Sequence, residues 1–208
     1  MSTPKGEEKN SAAARAALPR GVGYDIIYAD PPWRYDNSQT PYPTMDMEEL
    51  KTLPVPAAAN SLLFMWATSP MLPPALELMA AWGFEFKTVA WVWHKTNPKN
   101  GQGVMGTGFY TRQSCEVLLL GTRGSGHSKR RKRRNCDQYQ ALPRSAHSRK
   151  PPEFRRMIED VFEGERRIEL FARETHEGWD AWGFDVDGYF YQCPNKRKRG
   201  DEPHAPPV

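Results

Sequence analysis

The stretch Tyr28 to Asn37 reads "YADPPWRYDN" and follows the apolar run "YDIIYA". An aspartate followed by two prolines offers carboxylate and carbonyl acceptors but few donors, because proline has no backbone N–H. The prolines end the strand and fix the turn, so Asp30, the Pro31 carbonyl, Pro32 and Trp33 are held in one geometry. Such a turn suits a ligand that presents donors, for example an exocyclic amine with two N–H groups. Trp33, read as exposed, adds a face for a flat ring. For the tetrapeptide alone, a tight turn with Trp33 packed over a sheet competes evenly with this reading.

Other charged residues stand out by their surroundings. Glu116 lies in the apolar run "CEVLLLG", and a carboxylate in a buried strand needs a partner. Its bland reading is an ion pair with Arg112. Net charge is +4 over 208 residues, but the cations are concentrated in "KRRKRR" (Lys129, Arg130, Arg131, Lys132, Arg133, Arg134) and "KRKR" (196–199). Blocks of this kind favour phosphate partners. Cys115, Cys136 and Cys193 lack the paired spacing of zinc sites and are odd in number, so no metal and no disulfide framework is expected.

The elements that must position these residues are legible as alternating patterns. Short apolar runs suit buried strands at 24–29, 61–67, 87–93, 115–121 and 167–172, and helices fit 46–52, 72–82 and 152–162. Alternation of this kind predicts an α/β fold, a mainly parallel sheet with helices on both faces. Ligands bind beyond the carboxyl ends of such strands, where "DPPW", "ATSP", "HKTN" and "RETHEGWD" fall. Residues 1–20 and 192–208 are polar or proline-rich and read as disordered tails around one domain at 21–191, with a basic loop at 122–140. No apolar run is long enough to span a membrane and no secretory signal is visible, so a soluble cytoplasmic protein is expected.

Seven ordered blocks resemble the family of adenine N(6) methyltransferases that carries a DPPW motif, found in the eukaryotic messenger-RNA adenosine methyltransferase and in bacterial and phage DNA enzymes. They are "YADPPWRYDN", "YPTM" at 42–45, "LLFMWATSP" with "LELMAAWGF", "WHKTN", "GTGFYTRQSCEVLLLGTRG", "HSRKPPEF" and "IELFARETHEGWDAWG". The resemblance implies a Rossmann-like fold in permuted order that uses S-adenosylmethionine. By this likeness Asp30 and the Pro31 carbonyl accept from the adenine amino group, and Trp33 supports the base. Lys150 matches a position at the cofactor's amino-acid end, and Phe171, Arg173, Thr175 and His176 match positions around its adenosine. Tyr35, Lys95 and Glu116 match positions near the target base, and Tyr42 lies in a loop over the site. Trp93 and His94 read as packing. The family continues its "WG" with Asn and then Glu or Gln. This chain has Phe184 and Asp185 instead, and Asp185 can still accept from ribose hydroxyls.

Three functions compete at this stage. The first is methyl transfer to adenine in DNA, which requires flipping the base out of a duplex. Methylation of RNA by the same chemistry is the second, and a nucleic-acid-binding pseudoenzyme, motivated by Phe184, is the third. Expected partners are nucleic acid, DNA ahead of RNA, and a second copy or related subunit, with no membrane.

Overall fold

The structure, a computed structural model, describes residues 18–34, 44–106, 108, 110–124, 136–145, 149–162, 164, 166–186 and 189–192. Tyr35, Tyr42 and the run Lys129 to Arg134 lie outside the described residues. In chain order the elements are β1 (Tyr24–Ala29), α1 (Met47–Lys51), β2 (Ala57–Ala67), a 3-10 turn (Ser69–Met71) and α2 (Leu72–Ala81). Then come β3 (Glu85–Thr96), β4 (Cys115–Arg123), β5 (Tyr139–Pro143), α3 (Glu153–Val161), β6 (Arg167–Leu170), β7 (Asp180–Trp182) and β8 (Phe190–Tyr191).

All eight strands form one sheet in the order β5, β3, β4, β2, β1, β6, β7, β8. β1 pairs in parallel with β2 and β6, β6 with β7, and β3 with β5. β4 is antiparallel to both of its neighbours, β2 and β3, and β8 is antiparallel to β7. Only β4 and β8 therefore oppose the common strand direction. The mostly parallel sheet and the permuted order, with the first strand central, agree with the expected Rossmann-like architecture.

Alternation along the central strands sends side chains to two cores. Ile27, Ala29, Leu63 and Met65 pack with Leu50 of α1 and Ala75, Leu78 and Met79 of α2. Ile26, Tyr28, Leu62, Phe64 and Trp66 pack with Phe154, Ile158 and Val161 of α3. Both faces are thus covered, which lets the inner strands be apolar throughout. A capping box closes the start of α1: Glu49 N donates to Asp46 Oδ1 at 2.8 Å and Asp46 N donates to Glu49 Oε2 at 3.1 Å. α2 has prolines in its first turn and is followed by Gly83 at φ 77°, the left-handed stop that glycine permits.

Several expected boundaries move. Leu18, just before the expected start of the domain at 21, is buried in the core. Strands occupy part of the expected basic loop, since β4 runs to Arg123 and β5 begins at Tyr139. β2 is longer than its apolar run because Ala57 pairs with Tyr24 of β1, and β3 because β4 pairs out to Glu85 and β5 to Thr96. Among the described residues no helix is long and apolar enough to cross a membrane.

Candidate active site

Asp30 follows the last residue of β1, where the Pro31–Pro32 pair ends the ladder. Pro31 O accepts from Trp33 N at 2.8 Å, and Pro32 O accepts from Met45 N at 3.0 Å. A short bridge between Trp33 and Met45 ties the turn to the entry of α1. The parallel neighbours β2 and β6 end on the same edge and deliver Thr68 and Phe171 there. Because β4 is reversed, its beginning lies on that edge too, and Glu116 arrives beside the carboxyl ends of its neighbours.

These residues line one cleft: Asp30, Pro31, Pro32 and Trp33, then Trp66, Ala67, Thr68 and Glu116, and finally Lys150, Phe171, Ala172, Arg173, Phe184 and Asp185. At its centre is a chain of alternating charges. Lys150 Nζ lies 2.6 Å from Asp30 Oδ2 and 3.3 Å from Glu116 Oε2, and Lys95 Nζ donates to Glu116 Oε1. The side chains of Lys150 and Glu116 are 11% and 12% exposed, so these charges persist only because they are paired. Lys150 Nζ also stands 5.5 Å from the Trp66 ring centroid.

Electrostatics follow from this packing. Burial pushes the Asp30 carboxyl up, Lys150 pulls it back, and Glu116 adds to the rise. Burial also opposes the Glu116 charge, but the ammonium groups of Lys150 and Lys95 outweigh it and hold that carboxyl below its ordinary range. Burial likewise works against the Lys150 charge. Asp30 and Glu116 overcome it, and Lys150 stays protonated far above neutrality.

The backbone around Phe171 is strained. Its φ is 62°, a left-handed value that costs a non-glycine residue about 1–3 kcal/mol. The Phe171 ring is held between Trp82, stacked at 6.4 Å, and Trp182, edge-on at 5.3 Å. Gly183 closes the turn from below, since a Cβ there would lie 2.2 Å from Ala172 O. Trp182 O accepts from Ala172 N at 2.9 Å.

The structure gathers most of the expected site residues and moves some. Asp30, Pro31, Pro32, Trp33, Glu116, Lys150, Phe171, Arg173 and Asp185 share the cleft. Lys95 reaches it through Glu116. Trp33 is 6% exposed and packs into the core, which corrects its reading as an exposed face. Its buried indole N–H finds no acceptor among the described residues. Glu116 pairs with two lysines and not with Arg112, whose Nη1 lies 3.8 Å from Met105 Sδ. Thr175 and His176 are not among the lining residues; His176 Nε2 stands 3.4 Å from Glu174 Oε1 behind the cleft wall. Trp93 is buried and donates to Leu142 O, and His94 stacks on Tyr139, both as packing. Trp66 and Thr68 were missed as single residues, although "ATSP" marks the right strand end.

Comparison with known proteins gives this geometry a lineage. The MT-A70 family model matches residues 24–185. The chain is 35% identical over 205 residues to the type II methyltransferase M.MunI of Mycoplasma sp, covering 86% of this chain and 84% of that protein. It is 32% identical to an N(6)-adenosine-methyltransferase MT-A70-like protein of Arabidopsis thaliana, covering 79% of this chain and 24% of that one. It is 31% identical to the N(6)-adenosine-methyltransferase catalytic subunit METTL3 of Homo sapiens, covering 83% and 30%. The chain thus spans under a third of these two plant and human relatives but most of the bacterial one. With the DPPW turn, the permuted sheet and these matches in agreement, the chain belongs to the MT-A70 family of methyltransferases.

Proposed function

We propose that this chain transfers a methyl group to the exocyclic amino group of adenine in DNA, with S-adenosylmethionine as the donor. The observation that carries the reading is the Asp30–Lys150–Glu116 array at the end of β1, in a chain that matches a type II methyltransferase along most of both lengths. An intact array of this kind also speaks against a pseudoenzyme.

The residues of the cleft fit the donor chemically. Lys150 is a cation suited to a carboxylate, Arg173 supplies donors and Asp185 an acceptor for an adenosine, and Phe171 and Phe184 are apolar walls for a flat base. S-adenosylmethionine supplies a methyl group on a positively charged sulfur.

What the protein contributes is alignment. Asp30 accepts from the amine in its ionised form, which the Lys150 ammonium favours against burial. With Oδ2 taken by Lys150, Oδ1 is the carboxylate atom left for an amine N–H. Pro31 O has one of its two acceptor directions filled by Trp33 N, and the other remains for the second N–H. Two acceptors in a fixed turn orient the nitrogen, and orientation is the larger part of catalysis when the leaving group needs no acid. The basic run Lys129 to Arg134 supplies phosphate contacts in this reading, Tyr35 and Tyr42 take part in substrate binding, and the enzyme works in the cytoplasm.

Incubation with labelled S-adenosylmethionine and separate DNA and RNA pools, followed by mass spectrometry of the nucleosides, tests this directly. N(6)-methyldeoxyadenosine is the expected product. Methylated adenosine from RNA alone would replace the DNA assignment, and label in neither pool would remove the proposed activity.

A further inference from the structure

Behind the cleft wall lies a second set of charges that the proposed chemistry does not use. Glu169, on β6, is a mostly buried carboxylate, its side chain 12% exposed, whose register partner on β1 is Tyr28 and on β7 is Ala181. Its countercharge is Arg155 of α3, itself 6% exposed: Arg155 Nη1 lies 3.0 Å from Glu169 Oε2 and 3.2 Å from Oε1. The same guanidinium stands 5.9 Å from the Tyr28 ring centroid. Tyr28 Oη accepts from Trp66 Nε1 at 2.6 Å, and Trp66 is the ring under Lys150. On its other side Arg155 Nη2 reaches to 3.9 Å from Glu174 Oε1, and Arg149 Nη1 lies 3.2 Å from Glu174 Oε2.

A buried ion pair is weak evidence for stability, because an apolar pair of like volume does as well or better. Here the pair spans two elements that must keep register for the cleft to exist. Residues 149–155 carry Lys150, and residues 169–174 carry Phe171 and Arg173. Arg149 and Arg155 grip the second segment at Glu169 and Glu174, on either side of the strained Phe171. A left-handed residue persists only where its neighbours over-determine it.

We propose that Arg155 and Glu169 are positioning residues for the donor pocket: their ion pair holds the turn at Phe171 to Arg173 and, through Tyr28 and Trp66, the wall behind Lys150. This rests on the cleft being the S-adenosylmethionine site. The groups facing Glu169 are Arg155 from α3, Tyr28 and Asp30 from β1 and its end, and Glu174 with His176 beyond it from the loop after β6. Glu159 of α3 is engaged by Trp179, and Asp180 of β7 by Tyr24. Burial first, then Asp30 and Glu174, push Glu169 up to about 7 against the pull of Arg155. The pair is therefore fully charged above neutrality and weakens as Glu169 gains a proton below it.

Three proteins decide the matter: the full-length chain, Glu169→Gln, and the double variant Arg155→Met with Glu169→Met, which removes both charges together and leaves neither buried alone. Calorimetry with S-adenosylmethionine, kcat at saturating donor, melting temperature, and amide exchange of residues 170–174 in the free protein are read for each. The double variant is expected to melt at or above the wild-type temperature, to bind the donor about tenfold more weakly, and to exchange those amides faster, with kcat changed less than twofold. Donor affinity of the wild type should fall between pH 8 and pH 6, and that of Glu169→Gln should stay flat. Wild-type affinity and exchange in the double variant would overturn the proposal, leaving the pair merely structural. If the double variant does not fold, the same two results in Glu169→Gln overturn it equally. A wild-type protein that does not bind S-adenosylmethionine would instead sink the donor assignment, and the exchange measurement in free protein would still test the grip on Phe171.

Discussion

Lys150 Nζ lies 2.6 Å from Asp30 Oδ2, joining a residue at the tip of the first strand to one 120 positions later. The contact occupies one oxygen of the Asp30 carboxylate, and in the proposed function the other, Oδ1, receives the target amine. It also makes Asp30 part of a three-carboxylate and lysine environment, with Glu116 and Glu169 both close enough to act on titration nearby.

Asp30→Ala should reduce transfer by about a hundredfold or more, the usual effect of removing a preorganised polar group at the reacting centre. Lys150 keeps Glu116 as a partner in this variant, so the stability loss should stay near ~1–2 kcal/mol, below that for breaking a fully buried pair. Single-turnover assays with labelled donor and denaturant melts check the two values. Transfer at the wild-type rate would take Asp30 out of the mechanism.

Lys150→Met removes the main influence that lowers Asp30. Since Asp30 must be ionised, and its carboxyl is already raised by burial, the acid limb of the transfer profile should move to higher pH. Glu116 keeps Lys95 as its partner in this variant. A profile from pH 5 to pH 9 that superimposes on that of the wild type would contradict the role given to Lys150.

Phe184→Asn tests the departure from the family pattern. If the aromatic ring has cost the site a hydrogen bond to ribose, donor binding should tighten by about 1 kcal/mol, roughly fivefold. The ring packs edge-on against Tyr189 at 6.1 Å, so a lower melting temperature should accompany the gain. Calorimetry showing unchanged or weaker binding would mean that Asp185 or another group already makes the contact.

Stability between pH 4 and pH 7 is set in part by two opposed groups. His176 is pushed down to about 4 by burial first and by Arg155 and Arg149, so its contribution is lost as pH falls from about 6.5 toward 4. Glu169, raised to about 7, acts with the other sign: its contribution is full below about 4.5 and is lost as pH rises through 7. His176→Gln should therefore gain stability relative to wild type on acidification, and Glu169→Gln should lose it. Thermal melts at pH 5 and pH 7 for the three proteins decide this, and parallel curves would refute it.

Replacing Lys129 to Arg134 with Ser and Gly should weaken nucleic-acid binding for every sequence and flatten its dependence on salt, because each lost phosphate contact reduces counterion release by about one ion. Donor binding should be unchanged. A selective loss on one preferred sequence would show that the run reads bases.

Much of this architecture is written locally in the chain. The apolar runs found β1, β2, β3, β4 and β6, and the prolines and glycine bounded α2 to within a residue. Strand direction is another matter: "CEVLLLG" reads the same whichever way it runs, and nothing local says that β4 opposes its neighbours. The residues alone show Glu116 only as a carboxylate in need of a partner, the family resemblance puts it near the target base, and reversal of β4 brings it to the cleft beside Lys95 and Lys150. β7 and β8 escaped notice because they are only 3 and 2 residues long, and β5 because "YQALP" alternates exposed and half-buried residues with no apolar run. Trp33 misled for a related reason. Its neighbours mark a turn, but only the fold shows that the ring turns inward while the carboxylate faces the cleft.

The central position of β1 also has a consequence for how the protein is made. Asp25 and Arg166 meet across 141 residues of chain, and β1 has β2 as its only neighbour until β6 leaves the ribosome. Such distant pairing is slow to form and leaves an apolar strand edge unprotected while it waits. During that interval the nascent protein has its DPPW turn but not the β6 wall of its pocket, so chaperones have a defined edge to shield and truncated products have a defined edge on which to aggregate.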